Sequence, residues 1–316
     1  RYYIDVEQKN GGLVNMRLIL DTTLTDCILE QWDKGTSEFD MVYHHPVFQE
    51  LLAHAEDFQK REIGAEQYLN ELLHIGNMDL QQHRDEIVRN LKFVKRLDLS
   101  AFAKEVEAFL PKDACERMGD IYVYPMLGMG GLSLGNKIVF DPSPCPWYPA
   151  DGSDEEKYLT DFIYALFRHE PHHTGCRQIR PIPTLAELHN LGDLAASMAQ
   201  HMQLEGGATL CEKQCQARTL ADTELECGAH ELKQCYEVIQ AWLRKADDEI
   251  SKEDWDYYYT LWGEKQLSYR LGEFIILLLI QCGDVKSVAD CMVMEPLDLL
   301  KMAYTAINEK CLENRK

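Results

Sequence analysis

The stretch ALFRHEPHHTG, residues 165–175, holds three histidines and a glutamate within five positions. His169 and His173 are four residues apart. On a helix that spacing puts both imidazoles on one face, one turn above the other. Two neutral imidazoles so placed can share one zinc ion. Glu170 follows the first histidine and points beside the ion, where a carboxylate can take a proton from a water that the metal has acidified. H-E-x-x-H is the pattern in which the glutamate serves as general base. Pro171 strains this arrangement. It lacks a backbone donor, its ring crowds the carbonyl of Phe167, and it disfavours helical geometry at Glu170. A kink there would either retune Glu170 or spoil the ligand geometry. His172 projects from another side, and its expected partner is backbone or solvent.

A catalytic zinc site takes a third protein ligand and keeps one position for water. Glu205 ranks first, in AASMAQHMQLEGGATL, residues 195–210. A glutamate amid Met198, Ala199, Met202 and Leu204 needs a reason to be buried, and a metal supplies one. Gly206, Gly207 and Ala208 would let its helix approach closely. Glu187 ranks second, and His189 and His201 are further rivals. His201, one turn before Glu205, could instead orient it, and Asp193 could hold a ligand histidine by its free ring nitrogen. Hydrolysis also needs a donor for the developing oxyanion. Tyr269, in the tyrosine-rich stretch 257–274, is the candidate, while Tyr257, Tyr258 and Tyr259 read as aromatic packing.

The elements that must position these groups are mostly helical. Residues 1–115 carry helical periodicity, with Val47, Leu51, Leu52, Ala55 and Phe58 on one stripe. GLVNMRLIL near the start has a partly alternating strand pattern. A helix is expected from a Ser100 cap to a stop at Pro111. Between 116 and 183 the period changes. DIYVYPML and KIVFDP are β-rich, joined by a glycine-rich connection. After the proline-rich loop 141–153, SDEE forms a capping box at Ser153. The helix it opens buries Leu159, Phe162, Ile163, Leu166 and Phe167 and carries the histidine motif at its far end. From 184 to 316 the pattern is helical again, with a turn expected near Gly206–Gly207. The three regions 1–115, 116–183 and 184–316 make an α+β protein dominated by helices.

Composition narrows the partners. The 316 residues carry a net charge of −21, which repels phosphate backbones and speaks against nucleic acid. The apolar run FIILLLI, 274–280, is too short to cross a bilayer, so no membrane partner is expected. The 11 cysteines are odd in number and without a CxxC, which suits buried thiols in a cytoplasmic protein. Cys211 and Cys215, one turn apart, are the pair that could bridge or bind metal. The first residue is Arg1 rather than Met, which leaves room for an upstream segment that was removed or left out.

HEPHH followed by LEGGA resembles the gluzincins, zinc metallopeptidases with an HExxH helix and a downstream glutamate ligand. More narrowly it is similar to a bacterial group of zinc-dependent peptidases with an H-E-x-H-H motif, and SYRLG is similar to a tyrosine-glycine motif of that group. The likeness spans roughly residues 120–275. It implies a zincin-like core and a bacterial cytoplasmic hydrolase acting on a peptide or protein. It implies Zn2+ held by His169, His173 and Glu205, with Glu170 as base and Tyr269 polarising the carbonyl. It also implies a small sheet whose edge strand lines the cleft, for which GLSLGNKIVF is the candidate. The Glu-x-x-x-Asp pattern of some gluzincins is missing, since Thr209 stands four after Glu205. The G-x-M-E-N signature of aminopeptidases is absent too. Two other readings stay open. One is a metal-binding relic without peptidase activity. The other is a metal-free helical interaction protein with structural histidines.

Overall fold

A computed structural model of the chain describes residues 16–34, 39–59, 62–72, 80–125, 131–140, 155–263 and 266–309. The chain divides into two units, residues 1–104 with 116–174 and residues 105–115 with 175–316. Among the described residues it is mostly helical with one small mixed sheet, an α+β protein as the pattern predicts.

The sheet belongs to the first unit. Its strands are β1 (Met16–Leu20), β2 (Gly119–Pro125), β3 (Gly131–Leu134) and β4 (Lys137–Phe140), in the order β1-β2-β4-β3. β1 and β2 are parallel, with Leu18 opposite Ile121, and β2 and β4 are parallel, with Val123 opposite Ile138. β3 runs antiparallel to β4 at the edge, with Leu132 opposite Val139. The partial alternation in GLVNMRLIL is therefore a strand over Met16–Leu20. Met16 and Leu18 are buried, while Arg17 points out and holds Asp120 through two hydrogen bonds of 2.7 Å.

The two β-rich runs are strands of one small sheet, as expected, and the edge strand expected in GLSLGNKIVF is β3. The hairpin is β3–β4, and β2 lies parallel to β4 rather than across a turn from it. Gly135 has a φ of +55°, the conformation that a two-residue hairpin loop needs at its first position and that favours glycine.

The helices up to residue 179 are α1 (Thr23–Asp33), α2 (Asp40–Tyr43), α3 (Pro46–Gln59), α4 (Ala65–Leu72), α5 (Leu80–Val94), α6 (Leu99–Glu107), α7 (Lys112–Met118) and α8 (Glu155–Ile179), the last three crossing from one unit to the other along the chain. The predicted stripe of α3 holds for Val47, Leu51 and Ala55, with Leu52 partly buried beside them and the side chain of Phe58 outside the described residues. Val47, Leu51 and Ala55 join Phe48, Leu24, Ile28, Tyr68 and Leu69 in one core, closed by Tyr124 and Val139 from the sheet. The cap of α6 is Asp98, not Ser100. Asp98 Oδ1 accepts from the backbone N–H of Ser100 at 3.0 Å and of Ala101 at 3.3 Å. The Ser100 hydroxyl also donates to it, and that bond above all holds the Asp98 carboxyl below its ordinary range. Asp beats Ser because the charged acceptor is the stronger one at a helix N-terminus.

The second unit is helical among its described residues. After a 3-10 turn at Leu185–Glu187 come α9 (Leu191–Glu212), α10 (Asp222–Leu243), α11 (Lys252–Tyr258), a 3-10 turn at Tyr259–Leu261, α12 (Leu267–Gln281), α13 (Val288–Val293) and α14 (Pro296–Glu309). α9 is the central helix, packed by α10, α12, α13 and α14, and residues 201–211 are buried on every side. The turn expected near Gly206–Gly207 does not form. Those glycines lie inside α9, and Gly206 meets Gly272 of α12 backbone to backbone. FIILLLI is buried within α12, and no helix of the described residues is long and apolar enough to cross a membrane.

α11 opens on a reciprocal cap. The Ser251 hydroxyl accepts from Asp254 N–H, and the Asp254 carboxylate accepts from Ser251 N–H and Oγ and, at 2.6 Å, from Trp242 Nε1. Burial raises the Asp254 carboxyl, but these donors from Ser251 and Trp242 outweigh it and the net shift is down. The folded state therefore favours the ionised form. Its stabilisation is complete above the ordinary value of 3.8 and is lost as pH falls below that. Urea midpoints taken from pH 5 to pH 3 should fall more steeply in the parent than in Asp254→Ala. Equal slopes would show that this cap carries no pH dependence.

Candidate metal centre

Pro171 does not end the motif's helix. α8 is continuous from Glu155 to Ile179 with the proline inside it. The middle of that helix is anchored by Phe167, which meets Phe140 of β4 edge-on at 5.1 Å and Phe102 of α6 at 5.6 Å. Ile163 and Leu166 are buried beside it, as the stripe predicts, and Phe162 is partly buried. The Ser153 cap and the proline-rich loop fall outside the described residues, as does the side chain of Leu159.

The helix delivers the expected pair. The rings of His169 and His173 stand at 90° with centroids 4.6 Å apart, and their Nε2 atoms are 3.0 Å from each other. A tetrahedral ion with Zn–N bonds of about 2.05 Å separates two nitrogens by roughly 3.3 Å. A few degrees of ring rotation covers the difference. One ligand atom from each of His169, Glu170 and His173 lies within 4.8 Å of the others, and among the described residues no other group of three or more metal-binding side chains comes so close. Glu170 and His173 are buried and His169 is partly buried. A buried carboxylate beside two imidazoles whose nitrogens converge suits a cation, so the donor set fits a metal ion.

A neighbour of this group was not singled out from the sequence. Gly131 of the edge strand β3 lies against Glu170, so that an added Cβ would come within 2.9 Å of Glu170 Oε1 and 2.5 Å of Leu166 Cδ1. It is the first residue of GLSLGNKIVF, the stretch expected to supply the edge strand. His172 is corrected in part. It is fully buried, so solvent is not its partner.

The other candidates lie in the second unit. Glu205 is buried on α9, as its apolar neighbours imply, and Tyr269 is partly buried on α12. Both flank the contact between Gly206 and Gly272. Glu205 lies near Cys176, three residues after His173. Burial pushes the Cys176 thiol up against the opposing charge of Arg177, and Cys115 and Glu205 add to the rise. The rival ligands are occupied otherwise. Glu187 is exposed and its carboxylate accepts from Thr184 N–H at 2.7 Å and from the Thr184 hydroxyl, a capping box for the 3-10 turn. His189 is exposed, and Asp193 accepts from its backbone N–H at 2.9 Å at the start of α9. His201 is buried edge-on to Trp262 at 4.6 Å and near Tyr258. Tyr258 is core, bonded to Ser197 at 2.8 Å, and burial, partly offset by that bond, pushes its phenol up to about 12. Tyr259 is 46% exposed but keeps the aromatic packing role, stacked on Trp255 at 5.9 Å and edge-on to Tyr258. Cys211 and Cys215 are thiols and form no bridge.

No family model matches the chain, and neither a curated protein nor a solved structure matches it. The description of the centre therefore rests on its own atoms: a His169, Glu170 and His173 group able to bind a metal ion.

Proposed function

We propose that the protein is a zinc-dependent peptidase of the gluzincin type, with His169, His173 and Glu205 as ligands, Glu170 as general base and Tyr269 as carbonyl-polarising donor. The observation that carries this reading is the pair of Nε2 atoms 3.0 Å apart with the Glu170 carboxylate beside them. Two imidazoles and one carboxylate favour zinc in a hydrolase. Zinc, when bound, supplies a Lewis acid that lowers the pKa of a water to about 7 and polarises the scissile carbonyl. The Glu170 carboxylate takes the water's proton and passes it to the leaving amine. The Tyr269 phenol donates to the developing oxyanion. Glu205 stands as third ligand because it is a carboxylate buried in the middle of an all-round buried helix. β3 supports a peptide substrate, because it is an edge strand whose backbone runs beside Glu170 and can take a peptide as a further strand. The zincin-like core and a bacterial cytoplasmic setting are part of the same proposal.

The test is metal content. Protein purified without a metal column should carry close to one zinc per chain by elemental analysis, and His173→Ala should carry none. No metal in the parent after zinc is added back would leave the helical interaction protein as the better reading.

A further inference from the structure

His45 lies directly before α3, outside the histidine motif, and its two ring nitrogens have different partners. Nδ1 accepts from the backbone N–H of Val47 at 3.3 Å. That N–H belongs to the first turn of α3, where no carbonyl of the helix is in reach, so the ring serves as the helix's cap. Nε2 is 3.1 Å from the Thr23 hydroxyl at the start of α1. That hydroxyl has one proton and gives it to Asp21 Oδ1 at 2.6 Å, so its oxygen accepts from the His45 ring. Asp21, just past β1, also accepts from Thr23 N–H at 2.9 Å and from the Tyr124 hydroxyl near the end of β2. Both bonds of the ring therefore fix the same tautomer, neutral with its proton on Nε2. A base for Thr23 would need the opposite tautomer, so this group is not a nucleophile with its base.

A second proton would have to enter at Nδ1, where the Val47 N–H already points. Two donors would then face each other across the cap, and the imidazolium would stand at the positive end of the α3 dipole. We infer that His45 is a pH-sensitive latch: its neutral ring caps α3 and ties the start of that helix to the junction of β1 and α1, and protonation releases it. The surrounding charges do not reverse this. Burial of the half-buried ring outweighs the charge of Asp21, which favours the imidazolium, and holds the imidazole below its ordinary value of 6.5. Tyr124, edge-on to the ring at 6.2 Å, is kept neutral by burial and by the charge of Asp21. Glu50 of α3 is paired with Lys137 of β4 at 3.0 Å, and Asp26 of α1 accepts from the Thr22 hydroxyl at 2.7 Å. His44 turns its Nδ1 to the Asp40 carbonyl at 2.7 Å. The latch uses no residue of the candidate metal centre and is independent of the proposed function.

The experiment is a pH titration of the full chain with isotopically labelled histidines, read by nitrogen NMR, beside hydrogen exchange at the Val47 amide. The His45 signal is the one missing from His45→Asn. It should show the proton on Nε2 and titrate below 6.5. Protection of the Val47 amide, corrected for intrinsic exchange, should fall roughly fivefold once the ring is protonated, which is what the loss of a typical cap is worth. In His45→Asn the protection should stay level with pH, because asparagine is a strong cap that does not titrate. The unfolded chain takes up its proton near 6.5 and the folded chain only below that. The parent's urea midpoint should therefore fall from pH 7 to pH 5 more than that of His45→Asn. Should the asparagine variant fail to fold, His45→Gln identifies the signal, and the parent's titration and Val47 exchange decide. A proton on Nδ1, a titration at or above 6.5, or a Val47 amide equally protected with the ring neutral and protonated overturns the latch. So do midpoints that fall equally in parent and variant.

Discussion

Glu170→Gln should lose about three orders of magnitude of peptide hydrolysis and keep its zinc. Glutamine has nearly the same shape as glutamate, and the pocket it enters is tight. Glu170 is buried against the edge strand, where even a methyl group at Gly131 would crowd Oε1. The substitution therefore leaves the His169 and His173 nitrogens where they are and removes only the ability to take and return a proton. The loss should fall on kcat with little change in KM, the pattern of an interaction that matters in the transition state alone. Zinc content equal to the parent's would show that the ligand pair survived. A variant that hydrolyses peptides at the parent's rate would refute the assignment of the base. A parent that binds zinc but shows no hydrolysis depending on Glu170 would match the relic reading. The continuity of α8 through Pro171 and the 3.0 Å spacing of the imidazole nitrogens argue against a site distorted by the proline.

Gly272→Ala is expected to have the largest effect on stability, a loss of roughly 3–5 kcal/mol. At this position α9 and α12 touch through their backbones. A Cβ on Gly272 would collide with the Met202 carbonyl oxygen and would lie 2.9 Å from both Gly206 Cα and Gly206 N. These obstacles are main chain in the middle of two buried helices, so no rotamer change relieves them. The helices must separate, and the core between them, which includes Met202, Leu271 and Ile275, must loosen. Gly206→Ala should behave alike, because its added carbon would strike the carbonyl group of Gly272. Gly64→Ala is the control. It has open space around it and an ordinary φ, so its urea midpoint should match the parent's or rise slightly. A Gly272→Ala protein with the parent's midpoint would show that the two helices are not in backbone contact. Because Tyr269 and Glu205 flank this crossing, the same variant should also lose zinc affinity if Glu205 is a ligand.

What residue order determined by itself is what short-range geometry controls. The i, i+4 spacing of His169 and His173 fixes a shared face wherever a helix forms, so the convergent imidazole pair was legible from five residues. The 3.6-residue stripes of α3 and α8 marked their buried faces for the same reason. The apolar run around Glu205 announced its burial. Pro171 misled only in part. A proline removes one hydrogen bond and crowds one carbonyl, and twenty-four other helical residues in α8 outweigh that. What tertiary structure decided is what depends on a partner far along the chain. The register of strand β3 is one such feature: GLSLGNKIVF marks an edge strand, but only the ladder that β4 offers fixes β3 as antiparallel to it. Gly206 reads locally as a turn, yet the close approach of Gly272, sixty-six residues later, makes it a helical contact point. Glu187 looks like a ligand and Asp193 like the partner of a ligand histidine, but each is engaged by a backbone N–H a few residues before it. A carboxylate's chemistry is written in its type. Whether it meets an ion, a helix end or a strand is set by which backbone the fold brings beside it.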